Sequence, residues 1–123
     1  MSTPDHEPIT AASIARHLAT LSRQLEDLTE QTNQAEIDAV NLREDHTAAR
    51  SKAFLAAEGA MDMRNHQSIV ETSETRLAAE LAEAHVKGLR RRIDTVRIRV
   101  DIGRSYGAAL RAETGLAGTG ATP

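Results

Sequence analysis

Eight cations crowd one stretch toward the C-terminal end, Lys87, Arg90, Arg91, Arg92, Arg97, Arg99, Arg104 and Arg111, with only Asp94 and Asp101 among them. Side chains of this type at this density can neutralise phosphates along a nucleic-acid backbone, and each guanidinium can offer a phosphate two parallel donors. Lys87, Arg90, Arg91, Arg92, Arg97, Arg99 and Arg104 are therefore the candidate phosphate-binding set. Tyr106 is the one aromatic side chain nearby on which a base could stack. Any such contact is expected to be electrostatic, tolerant of base sequence and weakened by salt. A second reading uses the same residues differently. Residues 1–59 hold five basic and ten acidic side chains, residues 60–123 ten basic and eight acidic. Were the chain to fold back on itself, Glu26, Asp27, Glu30, Glu36 and Asp38 would flank the arginines as interhelical pairs.

Other chemistry is missing from the pattern. The five histidines, His6, His17, His46, His66 and His85, never stand four apart, and no HExxH or repeated Glu-x-x-His is present. Neither a zinc nor a di-metal carboxylate site is expected. Cysteine is absent, which removes thiolate ligands and disulfides and fits a reducing cytoplasm. Gly103 to Gly107 is glycine-flanked but lacks the lysine and preceding strand of a phosphate loop. No catalytic residue, metal or cofactor is expected, and the chain reads as a non-enzyme.

The cations need an element to hold them, and the apolar rhythm supplies it. Ile14, Leu18, Leu21, Leu25, Leu28, Thr32, Ala35, Ala39, Leu42, His46, Ala49, Ala53 and Ala56 follow one another in steps of three and four, the period of a coiled-coil stripe. The same steps return in Val86, Leu89, Ile93, Val96, Val100, Gly103, Gly107 and Leu110. His46, polar on the stripe, reads as a register-setting residue. Gly59 reads as a left-handed helix cap, with Thr10 and Asp62 as N-caps. The expectation is an all-α fold, a long antiparallel helical hairpin of coiled-coil type. It comprises a loose tail over 1–9, helix 10–58, turn 59–61, helix 62–113 and a loose tail over 114–123. Folding about Gly59 pairs positions whose numbers sum to about 121, at a rise of about 1.5 Å per residue in both helices. A change of phase is expected near Leu81 to Val86, because Leu77 and Leu81 lie off the second stripe.

One seam of mostly small side chains, 21 of them alanine across the chain, is little to set against the entropy of ordering two long helices. A second interface is expected. Ile37, Val40, Phe54, Leu55, Ile69, Val70, Leu77 and Leu81 lie off the stripes and are the candidate self-association residues, giving a dimer of hairpins and a four-helix bundle. No apolar run is long enough for a membrane span, so no membrane partner is expected.

Three segments carry a resemblance. Lys52-Ala-Phe-Leu-Ala-Ala-Glu-Gly59 with Arg64, Leu77-Ala-Ala-Glu-Leu-Ala-Glu-Ala84, and Asp101-Ile-Gly-Arg-Ser-Tyr-Gly-Ala-Ala-Leu-Arg-Ala-Glu113 resemble small helical proteins of bacteriophages and prophages. These are often encoded near single-strand-annealing or single-strand-binding genes. The resemblance implies a non-enzymatic accessory or adaptor of DNA recombination or replication in the cytoplasm of a bacterial host. Such a protein would meet an annealing or DNA-binding protein and DNA itself. The chain departs from the group's pattern after the turn, where Ala60 and Arg64-Asn65 replace a small hydroxyl residue and a basic pair. On the residues alone, a coiled-coil spacer or assembly factor with no nucleic-acid contact is the alternative.

Overall fold

The computed structural model describes residues 8–120, with side chains from 8 to 116. Three α-helices follow in order, α1 (Ala11–Ala56), α2 (Met61–Glu71) and α3 (Ser73–Gly120), and no strand occurs among the described residues. The chain divides into two compact units, a terminal unit of Met1–Leu28 with Arg92–Pro123 and a turn unit of Thr29–Arg91. In each, α1 packs against α3.

Helix α1 begins where its sequence can satisfy the orphan amides of a first turn. The Thr10 hydroxyl accepts the Ser13 amide at 3.1 Å, while the Thr10 amide donates to the Ser13 hydroxyl at 2.9 Å, a reciprocal cap with Ser13 in the place usually taken by Glu. Gly59, at φ +106°, closes the other end, in the left-handed region that glycine enters without a Cβ penalty. The expected cap at Asp62 is corrected. Ala60 occupies the N-cap position of α2 without a side-chain hydrogen bond, and Asp62 lies inside the first turn, where its charge meets the positive end of the helix dipole.

Continuity of the second helix is also corrected. The expected 62–113 segment is interrupted at Thr72 (φ −105°, ψ 19°). The Thr72 hydroxyl donates to the Ser68 carbonyl at 2.6 Å, sharing it with the Thr72 amide at 3.2 Å. A buried hydroxyl competing for the ladder acceptor bends the backbone locally, and the ladder resumes with Arg76 donating to the Thr72 carbonyl. At the far end α3 continues through Thr114 to Gly120 instead of stopping at 113, with the Thr114 hydroxyl bonded back to the Leu110 carbonyl. The expected tails lie outside the described residues at 1–7 and 121–123.

The stripes are where the rhythm puts them. Every α1 stripe position from Ile14 to Ala53 is buried or half-buried, as is every α3 position from Val86 to Leu110. Ala56 is exposed and Ala57 is buried in its stead, because the helix ends there. In the terminal unit Leu18 meets Gly103 and Ile14 lies opposite Gly107, and in the turn unit His46 meets Thr75; all three pairs sum to 121. The expected phase change does not occur. Upstream of Val86 the inward line is Ser68, Thr72, Thr75, Ala79 and Ala82, in phase with the rest, and Leu77 and Leu81 are simply outside it.

Candidate interaction surfaces

The candidate cations fall in both units and are described in each. In the turn unit Lys87 and Arg90 border a shallow groove with Glu36, Val40, Arg43 and Glu83. Arg90 is ion-paired to Glu36, and Arg43 to Glu83 at 3.4 Å. Both pairs cross from α1 to α3 on the rim of the seam, and all four side chains remain 42–60% exposed, so solvent screens them. Arg91 is exposed and takes part in an interaction of its own.

In the terminal unit Arg92, Arg97, Arg99 and Arg104 are exposed. Arg97 pairs with Asp94 at 3.9 Å along its own helix. Arg104 and Arg111 border the opening that Gly103 and Gly107 leave beside Ile14 and Leu18.

Among the described residues the acidic first helix engages Arg90 through Glu36. Among the described residues Lys87, Arg92, Arg99 and Arg104 form no ion pair. Glu26, Asp27 and Glu30 form none either, and Asp38 instead accepts a hydrogen bond from Gln34. Glu26 and Glu30 are exposed and stand off the stripe of α1.

The candidate self-association residues all lie in the turn unit. Ile37, Val40, Leu55, Ile69, Val70, Leu77 and Leu81 are 41–75% exposed. Phe54 differs, being half-buried with the Arg64 guanidinium 4.7 Å above its ring. Arg64 also donates to the Phe54 carbonyl at 3.2 Å, which ties α2 to the end of α1. Its Nε is buried without a hydrogen-bond partner, an arrangement that the cation–π contact partly offsets. Arg50 adds a bond to Asn65 at 3.2 Å.

Two groupings were not singled out in the sequence, although Tyr106 and His46 were noted there individually. One is the hydroxyl chain of the turn unit. Ser68 donates to the Asn65 carbonyl at 2.7 Å, Thr72 to Ser68, and Thr75 to the Thr72 carbonyl at 2.9 Å while meeting His46 Nδ1 at 3.0 Å. The other is a set of exposed side chains on α3 of the terminal unit, Ile98, Ile102, Tyr106 and Leu116, at 52–73% exposure. Their signal is the four-residue step Ile98 to Ile102, offset by two from Val96 and Val100.

Among the described residues no three His, Cys, Asp or Glu side chains gather as a metal-ligand group, and no helix is long and apolar enough to cross a membrane. No protein-family model, curated protein or solved structure matches the chain.

Proposed function

We propose that this chain is a non-catalytic helical adaptor that lays cations of α3 along a nucleic-acid backbone while its exposed apolar side chains hold a protein. The observation that carries the reading is that Lys87, Arg92, Arg99 and Arg104 are exposed and make no ion pair among the described residues. A cation committed to an internal carboxylate loses much of its attraction for phosphate; one left in water keeps it. The exposed turn-unit residues Ile37, Val40, Leu55, Ile69, Val70, Leu77 and Leu81 supply protein contact. This contact is with a second copy, completing a four-helix bundle, or with a single-strand-annealing or DNA-binding protein. The role in phage or prophage DNA recombination or replication, in a bacterial cytoplasm, rests on the resemblance of the three segments alone.

The test is a gel-shift titration of DNA binding against salt, comparing the wild type with a Lys87→Glu/Arg104→Glu variant. We expect binding at low salt whose logarithm falls with log[salt] at a slope of about −3 for single-stranded and about −4 for duplex DNA if four phosphates are contacted, with the variant losing affinity and slope together. Retention unchanged by the double substitution overturns the assignment of these cations. The second reading, a spacer binding only protein, is favoured by the Arg90–Glu36 and Arg43–Glu83 pairs. It predicts no DNA retention even at low salt.

A further inference from the structure

Helix α3 of the terminal unit carries a second heptad line on the face away from α1. Thr95, Ile98, Ile102, Ser105, Ala109, Ala112 and Leu116 recur in steps of three and four, and all seven are exposed, with Ile98 at 59%, Ile102 at 52% and Leu116 at 73%. Each stands about half a turn from the inward Val96, Val100, Gly103 and Gly107. The matching outward positions of α1 in this unit are Arg16, Ala19, Arg23 and Glu26, so the second line belongs to α3 alone.

We infer that this outer face of α3 is an antiparallel docking seam for α3 of a second copy of the chain. The argument for that occupant is self-complementarity in one register. When two such helices pair about a twofold axis lying between positions 103 and 104, Ile98 meets Ala109 of the second copy, Ile102 meets Ser105, and Thr95 meets Ala112. Large faces small at the apolar layers, as close packing of facing helices requires. The flanking positions then bring Arg92 to Glu113 and Arg99 to the Tyr106 ring, each twice by symmetry. These are an ion pair and a cation–π contact.

Within one copy, Arg92, Arg99 and Glu113 take part in no ion pair or ring contact among the described residues. On the opposite flank Asp94 and Asp101 meet Gly115 and Ala108, so no acid faces an acid. Other registers are poorer. Sliding one heptad toward the N-terminus sets Arg99 against Arg99 and Asp101 against Asp101. Sliding one heptad the other way keeps an Arg99–Glu113 pair but leaves Arg92 opposite Gly120, removes the partner ring from Arg99 and shortens the overlap. A parallel partner would put Ile98 beside Ile98.

In this unit the result is a flat row of four helices, α1–α3–α3–α1. It goes beyond the adaptor reading and revises it in two places. The turn-unit apolar residues are left for a different protein and not a second copy. Arg92 and Arg99 go to the rim of the seam, so that the phosphate reading then rests on Lys87 and Arg104. Lys87 and Arg104 lie off the seam, so the phosphate reading and the seam can fail separately.

The test combines oligomeric state with directed cross-linking of the full chain. Light scattering after size exclusion should show a dimer. Ile98→Glu should weaken dimerisation about a hundredfold or more, since the side chain is used twice per dimer, with far-UV circular dichroism confirming retained helix. Leu77→Glu, in the turn unit, should leave the dimer unchanged. Because the chain has no cysteine, Ile98→Cys with Ala109→Cys should give an interchain disulfide on mild oxidation, and Ile98→Cys alone should not. Arg92→Glu should weaken the dimer and Glu113→Arg in the same chain should restore it. A monomer at high concentration overturns the seam, as does a dimer insensitive to Ile98→Glu or one that Ile98→Cys alone cross-links.

Discussion

Between α1 and α3 of the terminal unit the inward positions are mostly large, Leu18, Leu21, Leu25, Leu28, Ile93, Val96 and Val100, with Gly103 and Gly107 near the open end; in the turn unit Leu42, Val86 and Leu89 share the inward line with the small Thr32, Ala35, Ala39, Ser68, Thr72 and Ala79. The same period is thus filled with two chemistries. Hydrocarbon burial holds the first unit, at roughly 25 cal/mol for each Å² taken from water. In the second, Val86 and Leu89 are buried as well, but most other inward side chains are small, and on the α2 side hydroxyls donate to carbonyls three or four residues back. Large apolar residues of that unit, among them Leu77 and Leu81, are outside. A helix pair so arranged keeps its adhesive side chains for something other than itself.

The comparison breaks most visibly if leucines prove dispensable in the terminal unit. Leu21 is 2% exposed, and Leu21→Ala should destabilise the protein by about 2–3 kcal/mol through lost transfer energy and an unfilled cavity. Urea unfolding followed by circular dichroism measures it. A loss below about 1 kcal/mol would mean that this seam is looser than its burial implies.

Gly103 gives the next effect. A Cβ built there lies 2.8 Å from Leu18 Cδ2, whereas one at Gly107 lies no closer than 3.6 Å to any side chain. Gly103→Val should therefore cost about 1–3 kcal/mol by overpacking. Gly107→Ala should be neutral or gain up to about 1 kcal/mol from helix propensity. Thermal melts of the two variants should shift in opposite directions, or the second not at all; equal losses would remove the close approach from the account.

In the turn unit the effect should be smaller and depend on what is left behind. His46→Leu alone removes the partner of the Thr75 hydroxyl, which still donates to Thr72. It should cost about 1 kcal/mol, while His46→Leu with Thr75→Val should recover most of that by removing both polar groups together. A double variant as unstable as the sum of its singles would show that the pair is not coupled, and with it that His46 does not act through Thr75.

The register of α1 on α3 was legible in the sequence because a heptad period survives whatever side chains occupy it: Leu18 and Gly103 meet where counting from Gly59 puts them. The interruption at Thr72 was not legible, since it is decided by one hydroxyl choosing a carbonyl in a buried place. Nor was the continuous phase past Leu81. Leucine weighs more in a hydropathy pattern than Ser68, Thr75 or Ala79, yet the smaller residues hold the inward line. For the candidate surfaces, composition was enough to find the cations but not their partners. Opposite charge on facing helices makes a pair only at positions beside the seam, which Glu36 and Arg90 occupy and Glu26 and Glu30 do not.

That distinction sets the smallest effect. Arg90 and Glu36 are 60% and 42% exposed, so the pair works in high dielectric and spends side-chain entropy to form. Arg90→Ala should change stability by only a few tenths of a kcal/mol, and a double-mutant cycle with Glu36→Ala should give a coupling below about 1 kcal/mol that vanishes in high salt. DNA affinity of the same variant should fall less than that of Lys87→Glu/Arg104→Glu, because a guanidinium already facing a carboxylate has less attraction to give to phosphate. An equal or larger fall would mean that phosphate displaces Glu36, and would add Arg90 to Lys87 as a phosphate-binding cation of the turn unit.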